Sequence, residues 1–586
     1  MLTIKRSLLI SLVILVCLVA FGCTNEPVGN STASNANSAI TTGKRGGAVT
    51  YRITSPVKTL NYFHADDEPS ALATLFLMND RLVGLDHREQ KYVPLLAESY
   101  SVGPDGKTID VTLREGIKFS DGKPITTADV EFTLKAVYDE RTKSPLFRDA
   151  LLVDGKPIEA KVIDERKMQL IMPDVVPVPE NYFENLAIMP KHALDADLQA
   201  GKLAESWPIT ADPASIVTSG PFMIDSVQVG EKVTFKRNPN YWKKDEAGTQ
   251  LPYLDTLTLE LIADPNNVLS RLNQNSLDIA DRIRTTDYAS LKSGNGPVKA
   301  YDAGPGQASD YLWFNMNTAK GSGEKLEGTP KHKWFTDKRF RQAIAYAVDR
   351  KSIAANTLQG LATPVYGFVP AGNKNWLDAN LKKSEYDLER SRALLQEAGF
   401  SIKDNAGKPE LHDAEGNRVE FTVIVPAENE PRKMMAAVVQ EDLAKLGIAM
   451  QIAPVEFKNL TERWTTSFDY DALLSGFSLT ATDPSSYSGL LQSSGGLHQW
   501  RPKQAKPATE WEAKIDQLYA EQSKERDPNV RRQKFNEIQA IMADEMPIVP
   551  IVSRHIVSAG HERVGNLSPS TILPFSMWNA ESLFIK

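Results

Sequence analysis

The chain has 586 residues, 41% of them hydrophobic, enough apolar material for a globular protein of more than one lobe. Its formal net charge is −7, and residues 1–22 hold Lys5 and Arg6 but no Asp or Glu, so a chain lacking them is more acidic still. This balance disfavours nucleic-acid binding. The only cysteines, Cys17 and Cys23, lie near the start, which excludes disulfides, thiol catalysis and cysteine metal sites from the folded body.

Lys5 and Arg6 precede an apolar run from Leu8 to Phe21. That is a charged n-region and an h-region, shorter than the ~20 residues a bilayer span needs. Gly22-Cys23 ends the run, a small residue before cysteine. We read residues 1–22 as a lipoprotein signal peptide and Cys23 as the acylated N-terminus of the mature chain; a plain secretory signal cleaved nearby is the alternative. Residues 23–45 are rich in Asn, Ser, Thr and Ala without apolar period, a tether between lipid and domain.

Ile109, Val111 and Leu113 alternate with Asp110, Thr112 and Arg114, the period of a half-buried strand. Pro104-Asp105-Gly106 before it and Asp121-Gly122 after it are turn chemistry. Thr126, three residues before Asp129, opens a helix through Val130 and Leu134 with a near capping box. Phe340, Ile344 and Val348 form one helical stripe. Asp387–Gly399 reads as another capped helix. Phe421–Val425, Pro431–Leu446 and Ile448–Val455 read as strand, helix and strand, with Gly447 as C-cap. That spacing is a βαβ crossover and implies parallel sheet. Pro528–Met546 reads as a helix leading into a strand from Ile548 to Val557.

The run Pro94–Leu134, with Leu-Ala-Glu-Ser, a polar hairpin, Leu-Arg-x-Gly-x-Lys-Phe, Asp-Gly and Asp-Val-x-Phe-Thr-Leu in that order, resembles extracellular solute-binding protein family 5, the oligopeptide- and dipeptide-binding components of ABC importers. Arg45-Gly46-Gly47, Ser219–Trp242, LPYLDTLTLELIAD after it, and Phe335–Ile353 (FTDKRFRQAIAYAVDRKSI) extend the likeness over roughly residues 45 to 586. The resemblance implies an α/β fold of the periplasmic-binding-protein, Venus-flytrap class II-like type, two lobes with an additional inserted domain. Carried over by motif, lobe I takes 46–65, 186–305 and 550–586, the inserted domain 66–185, and lobe II 306–549. It implies a monomer that captures ligand between its lobes and delivers it to a membrane permease and its ATPase.

No residue pattern argues for catalysis. The eight histidines are scattered without His-Glu-x-x-His spacing, and neither a Gly-x-Ser-x-Gly elbow nor a phosphate loop occurs. Asp413–Asn417 is carboxylate-rich, but its context favours a hairpin turn over calcium. No cofactor or metal is expected.

In the family's peptide binders an aromatic residue is followed, after two positions, by an Asp that accepts the peptide α-ammonium. Here Phe477 holds the aromatic place and Thr480 stands where that Asp is expected. A hydroxyl cannot supply the missing charge. Asp483 is the nearby carboxylate that could substitute; otherwise the ligand lacks an α-amine. Tyr487, His498 and Trp500 in the following loop are candidate contacts, with core packing as the competing reading. Asp67 and Glu68 lie near where the first lobe faces ligand in the family, with an exposed acidic loop as the competing reading, and Trp376 is a weaker candidate. The functional expectation is a peptide-binding lipoprotein of the cell envelope. An oligosaccharide- or opine-binding protein, an envelope chaperone or ligand receptor, and an envelope hydrolase are the alternatives.

Overall fold

The computed structural model describes residues 40–478 and 483–586. The signal peptide, Cys23, most of the tether and Thr480 lie outside the described residues. No described helix is long and apolar enough to cross a membrane.

Strand β1 (Ala48–Ile53) opens the fold. A four-stranded antiparallel sheet follows, built from β2 (Ala97–Val102), β3 (Thr108–Leu113), β4 (Glu159–Val162) and β5 (Lys167–Ile171) in the order β2-β3-β5-β4, with α1 (Thr127–Tyr138) packed on it. The alternation seen in the sequence is real here: Ile109, Val111 and Leu113 are buried, while Asp110 faces solvent. The capping box is also present, the Thr126 amide donating to Asp129 Oδ2 at 2.8 Å.

The chain then returns to β1. Strands β6 (Phe222–Gln228), β7 (Lys232–Arg237) and β8 (Thr256–Leu261) form an antiparallel meander, and β8 lies parallel to β1. β9 (Ile279–Asp281) pairs with β1 on its other side. β10 (Val298–Pro305) and β11 (Ala308–Phe314) carry the chain into the second half, separated by Gly306 and Gln307. There α2 (Lys338–Ala347), β12 (Ala362–Pro364), β13 (Glu420–Pro426), α3 (Glu430–Ala444), β14 (Ala449–Val455), β15 (Ala472–Ser478), α4 (Glu510–Gln522) and α5 (Pro528–Glu545) follow in turn. β13, α3 and β14 are the βαβ unit read from the sequence, with β13 and β14 parallel and adjacent.

The last long strand, β16 (Ile548–His561), joins the two halves. Its first part pairs with β11 and β12, its second with β10 and β9. It is four residues longer than the sequence pattern indicates, because its polar second part, with His555, Ser558 and His561, finds backbone partners in the other half. All these long strands belong to one twelve-stranded sheet.

The apolar side chains nevertheless separate into two large cores. One gathers residues of 49–279 and 564–583, including those under the inserted sheet; the other runs from Tyr311 to Val552. We call the bodies around them lobe I, with its inserted domain, and lobe II. Among the described residues, the β10–β11 link and β16 are the segments that run between the cores within the sheet, a two-strand arrangement suited to hinge bending.

Candidate ligand cleft

The parallel strands of each lobe end at the crossing: β1 and β9 in lobe I, β13, β14 and β15 in lobe II. Crevices at the carboxyl ends of parallel strands are the ordinary binding sites of α/β sheets. On the lobe II side the informative strand is β15. It pairs with β11 along its whole length, from Phe314↔Ala472 to Ala308↔Ser478. On its other edge it meets β13 only at Ala472 and Leu473. Beyond Leu473 no described strand occupies that edge, and Gly476 and Phe477 are half-exposed.

Phe477 stacks on Tyr311, with ring centroids 4.9 Å apart and an angle of 13° between planes. Tyr311 is fixed by its hydroxyl, which donates to the Phe368 carbonyl at 2.7 Å. The aromatic place is therefore a braced platform beside an open strand edge. Gly476 is required by close approach, since a Cβ there would stand 2.4 Å from the Ser309 carbonyl oxygen.

Three charged residues that the sequence did not single out meet next to Gly476. Asp310 of β11 is 2% exposed. It accepts from Arg432 Nε in the first turn of α3 at 2.7 Å and pairs with Arg554 Nε of β16 at 3.1 Å. Asp310 and Arg554 lie 244 residues apart in the chain, so no local pattern announces the cluster.

The candidates on the stretch after Thr480 fall differently. Asp483 is buried and held by both terminal nitrogens of Arg531, at 2.7 and 2.8 Å. It also caps the turn Pro484–Tyr487 by accepting from the Ser485 amide at 2.9 Å. A carboxylate so neutralised is not available to an α-ammonium, which corrects the substitution suggested by sequence. Tyr487 is fully buried among Phe368 and Phe535, and its hydroxyl accepts from Asn373 at 3.3 Å. His498 and Trp500 are likewise inside lobe II. Trp500 Nε1 donates to Glu512 Oε1 at 2.9 Å, while His498 contacts the Leu490 carbonyl at 2.9 Å. These three side chains belong to the core and not to the cleft surface. The polar, glycine-rich run around them hides the reason: the buried Glu512, on α4, serves the indole, the Ala508 and Thr509 amides and Gln504. Burial alone would raise the Glu512 pKa, but hydrogen bonds from His498 and Trp500 and the Arg501 charge outweigh it and hold the carboxyl down to about 2. Trp376 lies between Arg531 and Arg532, each guanidinium 5.1 Å from its ring.

In lobe I, Asp67 caps the turn Glu68–Ala71 through the Ser70 amide at 3.1 Å and faces Lys58 at 3.5 Å. Glu68 forms an ion pair with Arg282. Glu68 borders a largely apolar recess lined by Tyr51, Leu72, Phe76 and Phe575, among others.

The inserted domain touches lobe II directly. Gln90 donates to the Gly372 carbonyl at 3.1 Å, and Asn375 returns a bond to the Gln90 carbonyl at 2.8 Å. Lys524 pairs with Asp174 at 2.7 Å and Arg526 donates to the Pro104 carbonyl at 3.0 Å. Close behind this contact Tyr92 meets Glu184 at 2.8 Å. Burial pushes the Glu184 carboxyl up to about 7, with Asp483 and Glu180 adding to the rise and Tyr92 and Arg81 opposing it. Among the described residues no group of three or more His, Cys, Asp or Glu is placed to hold a metal. Asp413, the calcium alternative, instead accepts from Trp334 Nε1 at 2.9 Å and ties its own turn through Asn417.

Two lobes joined by two crossing strands are the architecture of a two-lobed binding protein. The chain belongs to the bacterial extracellular solute-binding proteins, family 5, whose model matches residues 91–499. It binds a solute and is not an enzyme. It is 30% identical over 417 residues to a probable ABC transporter-binding protein of Deinococcus radiodurans, covering 69% of this chain and 68% of that one. It is 28% identical over 498 residues to the oligopeptide-binding protein AppA of Bacillus subtilis, covering 82% of each. The solved structure of that AppA with a nonapeptide matches with a TM-score of 0.66 at 24% identity, over 93% of this chain and 100% of that one, a likeness of fold.

Proposed function

We propose that the protein is the peptide-binding component of an ABC importer, anchored through lipid on Cys23 at the outer face of a membrane. The observation that carries the peptide reading is the edge of β15 at Gly476 and Phe477, half-exposed and without a described partner strand, beside the Phe477–Tyr311 platform. An extended main chain can add to such an edge by backbone hydrogen bonds, which are indifferent to side-chain identity. Curated relatives that bind oligopeptides, and di- and tripeptides, support it. Closure on the ligand would present the joined lobes to a permease with its ATPase.

A second reading has its own observation. Thr480 and the neutralised Asp483 leave no described free carboxylate on the loop for an α-ammonium. This favours either peptides held by their main chain alone or a solute without an α-amine, such as an opine-like compound or an oligosaccharide. Native mass spectrometry of the mature domain from Arg45 onward, with bound molecules released and sequenced, separates the two. A ladder of short peptides is expected; a single non-peptide species would overturn the peptide reading and keep the solute-binding one.

A further inference from the structure

We propose that Arg432 and Arg554 form a subsite for a carboxylate of the ligand at the floor of the cleft, with Asp310 as their shared brace. This rests on the reading that the ligand occupies the interlobe crevice.

Two guanidinium groups flank one carboxylate, so the cluster carries a surplus positive charge. Both oxygens of Asp310 are engaged, Oδ1 by Arg432 Nε and Oδ2 by Arg554 Nε. Arg432 thus spends its Nε on a hydrogen bond to the brace, and Arg554 turns its Nε to it as an ion pair. Among the described residues no hydrogen-bond acceptor is assigned to their four terminal nitrogens. The paired terminal N–H groups of guanidinium are the natural partner of a carboxylate. Asp310 and Arg432 are largely withdrawn from water, with side-chain exposures of 2% and 13%, whereas Arg554 is 38% exposed. The cluster is therefore rigid at its back and accessible at its front.

Placement completes the case. Arg432 Nη2 lies 2.7 Å from where a Cβ on Gly476 would stand, so it sits against the open edge of β15. Arg554 comes from the part of β16 that crosses between the lobes, beside Gly306, whose amide donates to the Arg554 carbonyl at 2.9 Å. One guanidinium would have sufficed to neutralise Asp310. A second, supplied from the hinge and half in water, gives a preformed cationic site whose remaining charge an incoming anion would complete. An uncompensated, partly desolvated charge is costly, and a ligand carboxylate removes that cost only when bound there.

The test uses the mature protein and matched probes: a pool of tripeptides as free acids and as C-terminal amides, and succinate and gluconate against succinamide and glucose. Affinities come from titration calorimetry after a thermal-shift screen. In whichever class binds, the acid is expected to bind at least about tenfold more tightly than its neutral counterpart. That preference is expected to fall below about threefold in Arg554→Gln and to be partly restored in Arg554→Lys, which keeps the charge but not the paired donors. The lysine variant also guards against a folding defect in the glutamine one. Equal binding of acid and neutral probe, a preference that survives Arg554→Gln, or no binding by any acid would each overturn the subsite. Binding of non-peptide acids alone, with the preference lost in Arg554→Gln, would support the subsite while overturning the peptide reading.

Discussion

Replacing Arg531 with methionine isolates the question of what Asp483 is for. In the native protein the Asp483–Arg531 pair is about 95% withdrawn from water on both sides, with two charge-assisted bonds of 2.7 and 2.8 Å. Arg531 also donates through Nε to the Gln522 carbonyl at 3.2 Å. Removing one member of such a pair leaves a buried charge without compensation, a loss of about 3–5 kcal/mol. Asp483→Asn leaves the cap on Ser485 possible and keeps one acceptor for Arg531, so its loss should be smaller, about 2 kcal/mol. The double variant removes the charge from both sides and should fall short of the sum by about 2–3 kcal/mol. Guanidinium chloride unfolding followed by tryptophan fluorescence measures all three. Titration with free-amine and N-acetylated peptides supplies the functional half. Were Asp483 the receptor for an α-ammonium, Asp483→Asn would selectively weaken free-amine peptides; its engagement by Arg531 predicts equal effects on both. An Arg531→Met protein within about 0.5 kcal/mol of wild type, or a selective loss of free-amine binding in Asp483→Asn, would refute the assignment.

Two further expectations concern pH. The Glu512 carboxyl is held at about 2 against an ordinary 4.5, so its stabilisation is fully present above the unfolded value and lost as pH falls from about 5 to 2; the linkage is worth about 3 kcal/mol. Acid unfolding should therefore be steep in that window for wild type and shallow for Glu512→Gln, which should already be less stable at neutral pH; parallel acid profiles for the two proteins would contradict this. Glu184 has the opposite sign: its folded pKa of about 7 lies above the ordinary value, so stability is lost as pH rises from about 4.5 to 7. Glu184→Gln should melt higher than wild type at pH 8 and equal to it at pH 4.5, and a melting difference that does not change with pH would count against it.

What the sequence disclosed is what short range determines. The β2–β3 hairpin, the Thr126 capping box and the βαβ unit each rest on neighbours within twenty or thirty residues. Pairings made only by the fold were not legible. Arg341 and Arg350, in and just after the helix that carries the Phe340–Ile344 stripe, are both 2% exposed, and nothing in their neighbourhood in the sequence announces it. They are buried because they act as staples: Arg350 donates to the carbonyls of Pro550, Ala345 and Ser384 at 2.7–3.0 Å, and Arg341 to those of Phe335 and Glu545. Burial pushes both guanidinium pKa values down to about 10, which still leaves them charged at neutral pH. The same long-range logic hid the site. Asp483 meets Arg531 across 48 residues, and Glu512 gathers Trp500 and His498 from a neighbouring loop, so polar sequence around an aromatic residue signalled exposure where the fold supplies internal partners.

The energetics of closure follow from where the polar contacts lie. Within the cores, charges are spent on burying backbone and bracing loops, as with Arg350 and Glu512. Between the inserted domain and lobe II the Lys524–Asp174 pair is exposed by 56% and 29%, a geometry worth at most about 1 kcal/mol. The Gln90–Gly372 and Asn375–Gln90 bonds add the modest net value of neutral hydrogen bonds, about 1 kcal/mol each. Polar contacts of this size leave an open arrangement, joined through the same two crossing strands, energetically within reach. A ligand can then decide the balance with its differential affinity alone, about 5.5 kcal/mol sufficing to move a two-state population from 1:99 to 99:1. Stronger clamps would hold the lobes shut without cargo and remove the distinction on which a delivery protein depends.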